Sequence, residues 1–380
     1  MNLFAFDDAA CGRLAEAGTP RFAYSRAVAA GQFTALRAAL PARARLAYAV
    51  KANPHPALLE LFAGLGASFD CASAGEMARV AALGAPAVFY TGPGKRTAEL
   101  AQALAQGVRV QAEGWEDLER LDVLASSPVS VNLRVHPQAG IEEGSRLIGG
   151  TGPSAFGVDE EDLPALLDRA RTLRNVTIRG LHVFAASNER DAGKLLATHR
   201  HVLGMARQLQ EALGRPLEQI DLGGGLGVPY REDQAPLDVA ALGRGLAALL
   251  EENPWFGGEL ILEPGRFLAG PCGVYLTRVT RVKESRGVRF AILEGGVNHL
   301  LRPLLTGQAF PVKAIGAAGP LRPATLAGPL CTSLDRLGDV ELPELAPGTL
   351  LAMGMTGAYG FSEAMAPFLS HPVAAEAWEA

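Results

Sequence analysis

Lys51 ends the apolar run Leu46 to Val50 and is followed by Ala52, Asn53 and Pro54. An amine held at a strand end between Val50 and Ala52 is partly desolvated, so its pKa falls and its neutral, nucleophilic form becomes accessible. Those are the requirements of a Schiff-base lysine. A lone lysine at a strand end is most often a surface residue, so the assignment depends on what else the chain carries. Residues 221–227, Asp-Leu-Gly-Gly-Gly-Leu-Gly, follow another apolar run, and the bare backbone of Gly223, Gly224 and Gly225 can present N–H groups to a phosphate. Glycines there also suit a plain turn. Glu263, Pro264, Gly265 and Arg266 close a further run. The arginine can hold a phosphate through a charged fork, and the carboxylate a turn away can hold a protonated ring nitrogen. A lysine for an imine, a phosphate cradle and a carboxylate for a pyridinium nitrogen are together the parts required by pyridoxal 5'-phosphate. Glu263 would keep the ring protonated, so that the ring accepts the electron pair left when a bond at the substrate α-carbon breaks.

These residues need a scaffold that brings distant strand ends together. Apolar strand candidates at Leu46 to Val50, Ala67 to Asp70, Ala87 to Tyr90, Val108 to Ala112, Val129 to Val135, Ile178 to Phe184, Gln219 to Leu222 and Glu259 to Glu263 alternate with amphipathic helical stretches such as Ala192 to Leu213 and Leu237 to Glu252. Eight strands with intervening helices over roughly 220 residues predict a (β/α)8 barrel, whose active site forms where the strands end. From Cys272 the rhythm changes to β-rich segments, Gly273 to Lys283, Val288 to Leu293 and Thr349 to Met353 among them. The expected organisation is therefore a barrel over residues 25–268 and a mostly β domain formed by residues 1–24 and 269–380, to which Thr19 to Ser25 adds a strand. At 380 residues, with 48 % hydrophobic residues, 44 glycines and 25 prolines, the composition is that of a globular enzyme rich in turns. A net charge of −5 argues against a nucleic-acid partner. No apolar run approaches twenty residues and the first ten residues lack a signal-peptide pattern, so the expectation is a cytoplasmic protein with no membrane association. The four scattered cysteines, Cys11, Cys71, Cys272 and Cys331, suit reduced thiols better than disulfides or a zinc site, and no metal is expected.

The segments AYAVKANP (47–54), SFDCASAGE (68–76), DLGGGLG (221–227), EPGRF (263–267), GPLC with the later Asp335 (328–335) and GAYG (357–360) resemble, in order, those of the fold-type III pyridoxal-phosphate decarboxylases. That family includes the diaminopimelate and ornithine decarboxylases, and the resemblance spans nearly the whole chain. It implies an alanine racemase-like barrel followed by a β-sandwich or β-barrel domain. It also implies roles: Lys51 forms the internal aldimine, Glu263 binds the pyridine nitrogen, and Gly223, Gly224, Gly225, Arg266 and Tyr359 hold the phosphate, with Ser187 as a further contact. Asp70 and Glu76 lie near the cofactor, and Arg134 lies beneath it, although an ion pair of purely structural purpose suits Asp70 and Arg134 equally well. Cys331 is implied to reach in from the partner subunit, position the substrate carboxylate and return a proton to the α-carbon, with Asp335 near the cofactor or interface. A site completed in this way requires a two-fold homodimer with shared active sites.

The departures bear on the substrate. Where the family usually has Asp or Glu after the cysteine, to bind a distal amine, this chain has Thr332. A neutral hydroxyl cannot compensate a buried ammonium, which disfavours ornithine, lysine and diaminopimelate. Phe184 replaces the histidine that stacks on the cofactor ring, with His182 two residues earlier, and a phenyl face can still stack. Ala155 stands where the family tends to have lysine, before Phe156 and Gly157. Arg302 resembles the arginine that binds a distal carboxylate in diaminopimelate decarboxylases. Together, Thr332 and Arg302 point to a substrate whose far end is neutral or anionic: a citryl-linked siderophore intermediate, or a carrier-bound amino acyl group with its carrier protein as a further partner. The expected activity is that of a carbon–carbon lyase removing an α-carboxylate, with decarboxylation of free diaminopimelate, ornithine or lysine as the alternative. An amino-acid racemase is opposed by Glu263 and Cys331, and a non-catalytic cofactor-binding homologue by the retention of Lys51 and Cys331.

Overall fold

The apolar run before Lys51 forms strand β1 (Ala44–Ala49), and seven parallel strands follow it: β2 (Ser68–Cys71), β3 (Val88–Tyr90), β4 (Arg109–Ala112), β5 (Val129–His136), β6 (Val176–His182), β7 (Gln219–Asp221) and β8 (Glu259–Leu262). The structure is a computed structural model that describes residues 2–138, 152–184 and 187–379. Each strand pairs with the next, and β8 pairs with β1, which closes the cylinder expected from the sequence. The strands are buried almost continuously because helices cover the outer face. Local chemistry sets the helix ends. Asp191 accepts from the amides of Gly193 and Lys194 to start Ala192–Leu213, and Gly214, at φ +61°, stops it in the left-handed conformation that costs glycine least.

Polar side chains meet across the inside of the barrel. Gln111 Nε2 on β4 donates to Asp221 Oδ2 on β7 at 2.8 Å, and Asn132 Nδ2 on β5 donates to Gln219 Oε1 on β7 at 3.3 Å. Neither pair of strands is adjacent, so both bonds cross the interior. Gly180 on β6 makes room for one of them, since a Cβ there would lie 2.1 Å from Asn132 Oδ1. The ends of the eight strands carry Lys51, Asp70, Thr91, Glu113, Arg134, His182, Asp221 and Glu263 within or just beyond them.

The chain forms two compact units, the barrel (residues 33–227 and 237–265) and a β unit (residues 1–32, 228–236 and 266–380). This differs from the continuous span 25–268 expected for the barrel. The segment Val228–Pro236 and the residues from Arg266 group with the β unit, where the Tyr230 hydroxyl bonds Arg266 and its ring packs edge-on against Phe310. The β unit holds an eight-stranded sheet built on Gly273–Ser285. Arg21–Ser25 joins it antiparallel to Gly273–Ser285, as the sequence suggests, and Ala375–Glu379 adds in parallel beyond. A helix not expected from the sequence, Asp8–Glu16, packs Cys11, Leu14 and Ala15 against Val274, Leu276 and Leu350. Among the described residues no helix is long and apolar enough to cross a membrane.

One buried group of the barrel makes stability depend on pH. His199, on the inner face of Ala192–Leu213, is fully desolvated and its pKa is pushed down to about 4 from 6.5. The unfolded chain therefore binds a proton that the folded chain refuses between those values. Stability is full above pH 6.5 and falls as the pH drops toward 4, by about 3 kcal/mol in all. His199→Leu is expected to flatten the urea midpoint between pH 6.5 and 4.5; an unchanged slope would exclude this origin.

Candidate active site

Lys51 sits in a 3-10 turn, Val50–Ala52, where the chain leaves β1 between two buried neighbours. Its Nζ lies 2.9 Å from Asp70 Oδ2, and Asp70 is fully buried with its other oxygen accepting from Thr91 Oγ1 at 2.6 Å. The Lys51 side chain is about 31 % exposed, enough for a small molecule to reach the amine. Phe184, half-buried beyond β6, presents its ring 5.9 Å from that amine. Glu76 has a local role, since it accepts from the Ala72 amide at 2.7 Å at the start of the helix Ala74–Val80.

Glu263 is buried at the end of β8, and neither carboxylate oxygen has a hydrogen-bond partner within 3.5 Å among the described residues. The ligand atoms of Glu263, His182 and Asp221 lie within 4.8 Å of one another, with His182 Nε2 3.6 Å from Glu263 Oε2. Burial alone would raise the Glu263 pKa, but His182, Lys51 and Arg134 outweigh it and hold the carboxyl well below the ordinary range. Asp221 moves the other way: burial and the Glu263 charge raise it, against the pull of the Gly223 amide. Glu263 is thus held as the anion of the pair. A buried anion with both oxygens unmatched fits a donor brought in by a ligand, such as a protonated ring nitrogen.

The glycine run fits the other end of such a ligand. Gly223 and Gly225 have φ of +68° and +91°. A Cβ on Gly223 would lie 2.6 Å from the Val183 carbonyl oxygen, and one on Gly224 would lie 2.7 Å from that of Glu263. The backbone therefore passes closely between the ends of β6 and β8, as only glycine permits. The Gly223 amide is engaged by Asp221 Oδ1 at 2.9 Å. Gly223 thereby shapes the turn, and of the three expected phosphate contacts the amides of Gly224 and Gly225 are not engaged in this way. Ser187 is half-buried in the loop after β6. Arg134 is buried on β5, paired with Glu113 Oε1 at 2.8 Å and covered by the Phe156 ring at 4.6 Å. Glu113 also accepts from the amides of Gly92 and Gly157, so it ties three loops of the barrel end.

The β unit assembles its own cluster. Arg266 is buried, donates to the Tyr230 hydroxyl at 2.8 Å and lies 4.7 Å from the centre of the Tyr359 ring. Arg302 lies 4.7 Å from the same ring and is paired through Nη1 with both oxygens of Glu363, at 2.9 and 3.0 Å. Tyr359 adopts φ +58°, a left-handed conformation held by its surroundings at a cost of order 1 kcal/mol. Cys331 is exposed, whereas Cys11, Cys71 and Cys272 are buried and their thiols are pushed up by burial, Cys272 to about 12. Thr332, partly buried, accepts from the Leu334 amide at 3.3 Å. Asp335, expected near the cofactor or interface, holds backbone: it is buried, and its two oxygens accept from the amides of Val297 and Leu330, each at 2.7 Å. Gly296 and Gly328 pack so closely on it that a Cβ on either would overlap the carboxylate. Its hydrogen bonds shape the loop that carries Cys331.

His182, Asp221, Glu113, Tyr230 and Glu363 have no role assigned from the sequence. Asp221 lies inside a glycine-rich motif and His182 two residues before Phe184, whereas the partners of Tyr230 and Glu363 lie 36 and 61 residues away.

Residues 27–270 match the family described as pyridoxal-dependent decarboxylase, pyridoxal binding domain. The chain is similar to the L-glutamyl-[BtrI acyl-carrier protein] decarboxylase of Niallia circulans, 31 % identical over 377 residues, covering 94 % of this chain and 88 % of the relative. It is also similar to the diaminopimelate decarboxylase of Pseudomonas aeruginosa, 35 % identical over 378 residues, covering 95 % and 90 %. Among solved structures, an I148L mutant of diaminopimelate decarboxylase from Helicobacter pylori, complexed with L-lysine, superposes with a TM-score of 0.87 at 28 % identity, covering 95 % of this chain and 92 % of that one.

Proposed function

We propose, on the premise that this chain belongs to the pyridoxal-dependent decarboxylases, that its substrate is an amino acyl unit joined through its distal carboxyl to a carrier, and that its α-carboxylate is the group removed. Membership makes the protein a carboxy-lyase with pyridoxal phosphate as its cofactor. When bound, that cofactor supplies the electron sink for the pair released as the carboxylate departs. The chain's own groups do the remaining work. Lys51 offers the amine that attaches the cofactor, Glu263 accepts from the ring nitrogen, and Phe184 offers a face for stacking. The amides of Gly224 and Gly225, with Arg266, Tyr359 and Ser187, hold the phosphate, and Arg134 supports the cofactor. Cys331, contributed by the partner subunit of a homodimer, returns the proton to the α-carbon.

The substrate reading is carried by the Cys331 loop. Thr332 is neutral there, and Asp335, the carboxylate nearest in sequence, is buried with both oxygens engaged by backbone amides. The loop offers no carboxylate to a distal ammonium, whose burial unpaired would cost several kcal/mol. A unit that loses its α-carboxylate must keep that group free, so attachment to a carrier uses another carboxyl and turns the far end into an uncharged ester, thioester or amide. The relative that acts on an L-glutamyl carrier protein supports this reading. An amide-linked citryl conjugate has the same uncharged linkage. Free diaminopimelate is the second reading, favoured by Arg302 and by relatives that are diaminopimelate decarboxylases.

Carbon dioxide release should be measured from L-glutamate γ-ethylamide, L-glutamate, L-ornithine, L-lysine and diaminopimelate. The γ-ethylamide is expected to exceed the three diamino acids by at least about 10-fold in kcat/KM. Highest efficiency on ornithine, lysine or diaminopimelate would reject the reading.

A further inference from the structure

We infer that Glu363 determines specificity: by pairing with Arg302 it removes the charge that would draw in a free distal carboxylate, and it leaves a neutral donor–acceptor pair for an uncharged linkage. The inference rests on the proposed carrier-linked substrate and deepens it. Arg302 opens the short helix Arg302–Thr306 and is 5 % exposed, so its guanidinium needs a counter-charge. In a site built for an anionic substrate, the substrate can supply that charge. Here the chain supplies it, through two contacts of 2.9 and 3.0 Å from one Nη1 to both oxygens of Glu363. The pair stands beside the cluster proposed to hold the cofactor phosphate, because one Tyr359 ring lies 4.7 Å from the Arg302 guanidinium and 4.7 Å from that of Arg266.

The two partners differ in access. The Glu363 side chain is 27 % exposed against 6 % for Arg302, so an approaching ligand meets the carboxylate more readily than the guanidinium. A free carboxylate approaching Arg302 would have to displace Glu363 or lie beside it, and both cost energy. An ester or amide meets no such opposition. Arg302 Nε is buried and has no hydrogen-bond partner among the described residues, which leaves a donor for a carbonyl oxygen, while Glu363 can accept from an amide N–H. Without Glu363, Arg302 and Arg266 would form a doubly cationic patch around Tyr359, suited to a second anion beside the phosphate.

The test compares the holoenzyme with Glu363→Gln and Glu363→Asp, the latter withdrawing the carboxylate by one methylene should the former not fold. Two quantities are read: the kcat/KM ratio of L-glutamate to L-glutamate γ-ethylamide, and the dissociation constant of glutarate by calorimetry. The ratio is expected to rise at least about 10-fold in Glu363→Gln, with glutarate binding at least about 10-fold tighter and Glu363→Asp shifting in the same direction. Values within about twofold of wild type in both variants would overturn the inference and make the pair structural, whatever the thermal midpoint does. A wild type that prefers diaminopimelate would reject the substrate reading, whereas the inference about Glu363 is judged on the shift between variants alone.

Discussion

Lys51→Ala is expected to lower decarboxylation by at least about 10³-fold and to abolish covalent attachment of the cofactor. The turn that carries Lys51 places its amine where β1 ends, fixed against Asp70 at 2.9 Å and within reach of solvent. A second, buried lysine at this end of the barrel is Lys95. It donates to the Gly92 carbonyl at 2.7 Å and to Asp117 at 3.2 Å, and burial lowers its pKa. A depressed pKa makes Lys95 the natural competitor, but its position inside an ion-pair network denies it access. Borohydride reduction followed by peptide mapping separates the two. The label is expected on Lys51 in the wild type and on no lysine in Lys51→Ala; a label on Lys95 in the wild type would transfer the role. Removing the ammonium also leaves the buried Asp70 with Thr91 as its principal partner, at an expected cost of about 1–3 kcal/mol in stability, readable as a lower thermal midpoint.

The contrast between these lysines shows what the sequence carries and what it omits. Lys51, the glycines of 223–225 and Glu263 are legible because each lies in a contiguous motif at the end of an apolar run, and a barrel brings such ends together whatever the loops do. The second layer is not legible, because its bonds span the chain. Gln111 reaches Asp221 across 110 residues, and Arg302 finds Glu363 across 61, with four strands between them. The partners of Asp335 are equally hidden: it stands four residues from Cys331, and the two backbone amides that it accepts from, those of Val297 and Leu330, include one 38 residues away. The segment Val228–Pro236 lies between barrel elements in sequence but groups with the β unit, since its chemistry is set by the Tyr230 hydroxyl and the distant guanidinium that bonds it. Patterns of hydrophobicity report which face is buried; they carry no information about which polar groups meet.

Glu263→Gln is expected to lower kcat by about 10²-fold or more while leaving the protein without cofactor about as stable as the wild type. The two effects separate a functional carboxylate from a structural one. A structural buried glutamate makes hydrogen bonds whose loss destabilises the fold; Glu263 is fully buried and its oxygens make none among the described residues. It retains its charge because His182, Lys51 and Arg134 surround it, and that charge in turn raises Asp221. His182, Lys51 and Arg134 offset the desolvation of that anion, and in Glu263→Gln the attraction lost is met by relief of the repulsion toward Asp221, which is then free to carry the charge in its place. The same substitution removes the anion that keeps a ring nitrogen protonated, and with it the electron-accepting power that decarboxylation draws on. Absorbance of the bound cofactor should change with the loss of rate, and its affinity should fall less than the rate does, because the glycine turn is untouched. A thermal midpoint several degrees lower in the cofactor-free variant, with activity kept within about tenfold, would show instead that Glu263 serves the fold and that the ring nitrogen finds its partner elsewhere.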